Sequence, residues 1–175
     1  MIGVFTFFAI LLDSNAAKLD QSNYPMKEGT YQVQVEAVPT TRYPNGLQES
    51  GKQQVRNELI GQKWVTDLIL VYTDSKGQSF RKQSSYETTF FKDVNGEQKM
   101  FKVGTSGNYR MGTVTTQKDG SFTIESEGMS NLIGQIVKTK SIYTANKTGY
   151  SFTSTYYDEA SKKWFPMRSG TYTKQ

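Results

Sequence analysis

The stretch Trp64-Val-Thr-Asp-Leu-Ile-Leu-Val-Tyr-Thr-Asp-Ser-Lys-Gly77 decides the fold class. Trp64, Thr66, Leu68, Leu70 and Tyr72 share one face of an extended chain; Val65, Ile69 and Val71 take the other, with Asp67 among them. Asp74 to Gly77 then has the composition of a hairpin turn, where Asp bonds its own backbone and Gly supplies positive φ. The same punctuation returns in Asp93-Val-Asn-Gly96, Gly104-Thr-Ser-Gly-Asn108, Lys118-Asp-Gly120, Asn146-Lys-Thr-Gly149 and Asp158-Glu-Ala-Ser-Lys162. Between these turns lie runs rich in Val, Ile, Thr, Tyr and Phe, which suit a pleated surface. Strands joined only by hairpins make an antiparallel meander, and a long meander removes its edges by closing. The expected fold is all-β: an up-and-down antiparallel barrel of about nine or ten strands.

Working outward, residues 29–38 alternate cleanly, with Tyr31, Val33, Val35 and Ala37 on the inner face. Residues 40–52, carrying Pro44, Asn45 and Gly46, read as a loop, and residues 53–60 fit either a short helix or a ragged strand. Residues 129–134 interrupt the ladder as a helical turn or a lid, and hairpins resume from 135 to 173. No fixed repeat beyond the hairpin spacing is present, which disfavours a propeller or solenoid.

The chain has 175 residues, one domain's worth, with 21 basic and 16 acidic side chains and a formal charge of +5. The bases are scattered among apolar residues as on a solvated sheet face, and no basic run marks a nucleic-acid partner. There is no histidine and no cysteine. Disulfides, the Ser-His-Asp triad, the Cys-His dyad and the HExxH zinc site are therefore excluded. The remaining acid–base groups show no carboxylate pair spaced for glycoside hydrolysis and no phosphate loop between a strand and a helix. The expectation is a protein that is not an enzyme and carries no cofactor or metal. Asp67, set mid-strand among apolar residues, is expected on a locally solvated face or beside a lysine. Asn146-Lys-Thr148 forms a glycosylation sequon on a turn.

Residues 2–12 form an apolar run too short to span a bilayer, followed by small residues at 14–17. This reads as a secretory core and cleavage site, although no Lys or Arg precedes Ile2. The expected organisation is a signal peptide over 1–16, a flexible linker over 17–28 and a barrel over 29–175. Cleavage near Ala16 removes only Asp13 from the charge count, so the mature chain would carry 21 − 15 = +6. A secreted or periplasmic monomer without an integral membrane span follows. An outer-membrane barrel is disfavoured because charges fall on both faces of several strands.

Three segments carry a family resemblance: Gly149-Tyr-Ser-Phe-Thr-Ser-Thr-Tyr-Tyr-Asp158, Lys162-Lys-Trp-Phe-Pro-Met167 and Gly170-Thr-Tyr-Thr-Lys174. Together they resemble the end of an exported bacterial lipocalin-like (calycin-type) family of unknown function. Where the broader lipocalin pattern opens with Gly-x-Trp, this chain has Gly29-Thr30-Tyr31. The resemblance implies a barrel and an export route.

Fatty-acid-binding barrels, similar in fold, grip a carboxylate with Arg and Tyr from a late strand, which implies that role for Arg168 and Tyr172. Tyr150, Phe152, Ser154 and Tyr156 make a parallel row on the preceding strand. The candidate ligand-binding set is Arg168, Tyr172, Tyr156, Phe152 and Trp64. Even spacing would put Trp164, Arg168 and Tyr172 on one face, whereas a bulge at Pro166 would turn Trp164 to the other. The leading functional expectation is an exported protein that binds a small hydrophobic or acidic amphipathic ligand in an apolar cavity of a few hundred Å³. The competing expectation is a solid barrel that serves a structural or interaction role at the cell envelope.

Overall fold

The computed structural model describes residues 24–175; the expected signal peptide lies outside the described residues. Ten strands follow in chain order: β1 (Gly29–Ala37), β2 (Leu47–Glu58), β3 (Gly61–Thr73), β4 (Ser79–Lys92), β5 (Gln98–Gly104), β6 (Tyr109–Thr116), β7 (Phe122–Ser130), β8 (Gln135–Asn146), β9 (Gly149–Asp158) and β10 (Lys163–Lys174). Each pairs antiparallel with its sequence neighbours, and β1 pairs with β10 to close the barrel. Among the described residues there is no helix long and apolar enough to cross a membrane.

The hairpins are built as their residues dictate. Asp74 Oδ1 accepts bonds from the Lys76 and Gln78 amides at 2.8 and 2.9 Å, and Gly77 sits at φ 82°. Asp93 and Gly96 repeat the device, with Asp93 Oδ1 bonded to the Asn95 and Glu97 amides and Gly96 at φ 80°.

Two expectations need correction. Residues 47–52 belong to β2 rather than to a loop, because Leu47, Glu49, Gln53 and Val55 alternate inward while Gln48, Ser50, Lys52 and Gln54 pair outward along β1 and β3. The helical alternative for 53–60 is excluded by the same ladder, which runs to Glu58. The interruption at 129–134 is confined to the turn 131–134, since Met129 and Ser130 still pair with β8. Asp67 is exposed on the outer face and accepts a 2.6 Å bond from Ser85 Oγ.

The barrel has a closed end and a mouth. At the closed end Tyr24, Pro25 and Met26, from the segment read as a linker, are buried. Gln62 ties them down: its Nε2 donates to the Met26 carbonyl at 2.7 Å, while its Oε1 accepts from the Met26 amide and from Trp64 Nε1. Above this seal lies an aromatic layer. Trp64 packs on Phe90 at 4.3 Å between centroids, and Phe122 stacks on Tyr143 at 4.4 Å. The mouth is bridged from the β1–β2 loop: Thr40 Oγ1 donates to the Leu132 carbonyl and Arg42 Nη1 to that of Asn131. Asn131 in turn donates to Ser106 Oγ and to the Ser106 carbonyl across the β5–β6 turn.

Candidate functional site

Between the aromatic layer and the mouth, the inward side chains turn polar. Glu49 comes from β2, Gln53 from β2, Thr66 from β3, Lys102 from β5, Arg110 from β6, Thr139 from β8 and Arg168 from β10. They surround a cavity of about 80 Å³ that also touches Trp64, Tyr143, Phe152 and Tyr172. A vestibule of about 160 Å³ lies toward the mouth, lined by Arg42, Tyr43, Leu70 and Lys82. Glu49, Tyr86, Asn108, Asn131 and Arg168 border both spaces. The apolar cavity of a few hundred Å³ expected from sequence is therefore not what the interior offers. Aromatic rings fill the closed half, and the space left is small and polar.

Charge in this cavity is unbalanced. Lys102, Arg110 and Arg168 face inward, and among the described lining residues Glu49 is the single acid. Glu49 pairs with Arg168 at 3.2 Å, with side chains 2 % and 17 % exposed. Arg110 donates from Nη1 to Thr139 Oγ1 at 2.7 Å, and Thr139 Oγ1 lies 2.9 Å from Ser126 Oγ. Among the described residues, two buried guanidinium nitrogens, Arg110 Nη2 and Arg168 Nε, have no hydrogen-bond partner. Such groups normally find one, because an unmet buried donor costs about 1–3 kcal/mol and more when charged.

The electrostatics follow from burial and crowding. Burial, then Arg168 and Arg110, push the Lys102 ammonium down to about 7, with Glu49 opposing. Burial and Arg168 bring Arg110 down to about 10. Burial also works against the Arg168 charge, but Glu49 and the tyrosines Tyr86, Tyr172 and Tyr143 outweigh it and raise its pKa. Tyr143 is pushed up to about 12 by burial, and Tyr172 well above its ordinary value by burial and by Tyr143. These phenols are neutral hydroxyls at any physiological pH.

Of the residues singled out from sequence, Arg168, Tyr172, Phe152 and Trp64 line this one cavity. Tyr156 does not. It lies at the rim, stacked on Phe165 at 5.8 Å, and lines an outer groove with Val38, Pro39 and Pro166. The register of β10 against β9 shifts between Pro166 and Arg168, leaving Met167 as the extra, buried residue. That bulge faces Arg168 and Tyr172 inward and turns Trp164 outward, 48 % exposed and 5.3 Å from Tyr157. Sequence reading missed Glu49, Lys102 and Arg110. The signal for the last two was an inverted alternation: the large apolar residues Phe101, Val103, Tyr109 and Met111, which flank them in β5 and β6, are exposed.

The chain matches no protein-family model, and no curated protein matches it. Among solved structures, a de novo designed fluorescence-activating β-barrel aligns over 86% of this chain and 94% of that one, at 10% identity and a TM-score of 0.34. At that score the likeness bears on neither ligand nor activity, and the barrel stands on its own strand pairing.

Proposed function

We propose that the protein is a binding module that holds a small acid, its carboxylate or similar anionic head placed between Arg110 and Arg168. The observation that carries this reading is the pair of buried, unpartnered guanidinium nitrogens, Arg110 Nη2 and Arg168 Nε. A carboxylate held between them would accept from both, and it would offset the excess of Lys102, Arg110 and Arg168 over Glu49. The space of about 80 Å³ is well below the roughly 300–1,000 Å³ of sites for drug-sized ligands. It suits a compact acid, or an amphiphile whose short tail runs into the vestibule. The protein acts as a binder rather than a catalyst, and it belongs with the exported lipocalin-like barrels that its last strands resemble.

Calorimetry with octanoate against octanol tests the acid site. Octanoate should bind more tightly, and Arg110→Leu should remove the difference without unfolding the barrel, since among the described residues no carboxylate pairs with Arg110 and none is stranded. Equal binding of acid and alcohol would reject the reading. Export and cleavage are tested separately by cell fractionation and N-terminal sequencing of the protein, which should be found outside the cytoplasm and begin near Ala17; protein retained in the cytoplasm would reject export, and an intact Met1 would reject cleavage.

A second reading, a solid barrel with a structural or interaction role, draws support from the aromatic layer that fills the closed half. Native mass spectrometry in which no acid associates with the intact protein would favour it.

A further inference from the structure

We propose that Lys102 is a carbonyl-trapping site: its amine condenses with the aldehyde or ketone of a small oxo acid whose carboxylate rests against Arg110 and Arg168. The inference rests on the acid-binding reading above, because the two arginines supply the hold on the acid.

Lys102 projects from β5 into the same cavity as both arginines. Its Nζ lies 4.1 Å from the centre of the Tyr86 ring, an aromatic face rather than a carboxylate. Among the described residues no ion pair takes it, and the nearby acid, Glu49, is engaged by Arg168 at 3.2 Å. The charged groups acting on it are therefore Arg168 and Arg110, which repel its proton, and Glu49, which retains it. With burial added, the ammonium titrates at about 7, so near neutral pH about half of the side chain is free amine. A lysine beside other cations in a partly desolvated site is a recurring way to make a nucleophilic amine.

The chemistry balances without any co-reactant. The Nζ lone pair attacks the carbonyl carbon, the C=O π electrons move to oxygen, and a proton passes from nitrogen to that oxygen. The carbinolamine then loses its oxygen as water, and a C=N bond remains. Nothing is oxidised or reduced, and water restores the free lysine. The oxo acid supplies both features that the cavity asks for: an anion for the guanidinium groups and an electrophilic carbon for Nζ.

The rate advantage can be worked out. From 10.5 down to about 7 is some 3.5 pH units, roughly a thousandfold more free amine at pH 7 than an ordinary lysine offers. Lower basicity weakens the nucleophile, by about half of that on a logarithmic scale if the amine follows the thiol relation. A net advantage of some tens-fold is expected.

The test incubates the full chain with glyoxylate near pH 7 in low salt, traps imines with cyanoborohydride and maps modified lysines by peptide mass spectrometry. Lys102 should be carboxymethylated at least tenfold faster than exposed lysines such as Lys147, with a rate that rises through an apparent pKa near 7. Acetate, which offers the carboxylate without a condensable carbonyl, should slow it, as should Arg110→Leu. Labelling of Lys102 no faster than Lys147 overturns the proposal; if octanoate still binds, the acid site survives and only the trap is lost, and if octanoate also fails to bind, both fall. Fast labelling that neither acetate nor Arg110→Leu slows overturns it too, because the acid is then not being steered by the arginines.

Discussion

Glu49→Gln removes the only carboxylate among the described residues lining the cavity, and its consequences can be worked from one distance. At 3.2 Å and an effective dielectric of about 20, the attraction to Arg168 is about 5 kcal/mol before desolvation is counted. Glutamine keeps the shape but not the charge, so Arg168 is left in the barrel beside Arg110 and Lys102 with no counter-ion. Breaking a buried pair by neutralising one partner costs about 3–5 kcal/mol. For a chain of 175 residues, each kcal/mol moves the melting temperature by about 2–4 °C, so a fall on the order of 10 °C is expected. Differential scanning calorimetry and urea titration in low salt measure it. The surface pair partner Glu159→Gln, which touches Lys138 and Lys162 in solvent, serves as the control and should behave as the parent does. Octanoate should restore part of the lost stability to Glu49→Gln, since its carboxylate replaces the missing one. A melting temperature within about 2 °C of the parent would refute the reasoning, because it would mean the interior cations do not depend on Glu49.

Three further outcomes follow from other parts of the barrel. Trp64→Ala should cost about 3–5 kcal/mol in urea titration, since it opens the aromatic layer against Phe90 and Phe122; in the parent, acrylamide should quench Trp164 and spare Trp64. Gly51→Ala should destabilise by at least about 1–3 kcal/mol, because its new Cβ would be driven into the Asp67 carbonyl on the paired strand; a variant as stable as the parent would contradict the close packing of β2 on β3. Lys102 has a folded pKa of about 7 against 10.5 unfolded, so between these values the unfolded chain holds more protons and stability should climb with pH. Above about pH 10 the raised tyrosines Tyr31 and Tyr143 reverse the trend, and Lys102→Met should flatten the climb.

The architecture was legible because turn chemistry is local. Asp74 and Gly77, or Asp93 and Gly96, specify a hairpin whatever surrounds them, and Tyr31 to Ala37 alternate as any half-buried strand does. The bulge at Met167 was also readable, because a proline in a ladder removes a donor wherever the strand lies. The cavity's charged wall was not readable. Inside a barrel with a polar interior, the rule that apolar residues face inward fails, so Lys102 and Arg110 look like solvent residues flanked by apolar neighbours that in fact face out. Glu49 was hidden for another reason: Pro44, Asn45 and Gly46 mark a loop, and nothing local says that the loop ends at Gly46 rather than six residues later. Arg168 and Tyr172 were found from a family likeness, and their partners across the cavity come from strands far away in sequence.

The seam between β1 and β10 has a consequence for how the molecule comes into being. Val33 pairs with Tyr172, so 172 − 33 = 139 positions of chain must be made and folded back before that contact exists. Every other pairing joins strands consecutive in sequence, through tight turns or, between β1 and β2, the loop 38–46, so it costs much less loop entropy and forms earlier. Until β10 arrives, β1 and β9 each present an open edge, and the inward cations have no enclosed space to occupy. The cavity is thus made late, completed when β10 brings Arg168 against Glu49. A stop codon or protease cut just ahead of Lys163 would leave nine strands with two exposed edges and half of the charge pair missing. Such a fragment is expected to aggregate rather than persist as a weaker binder.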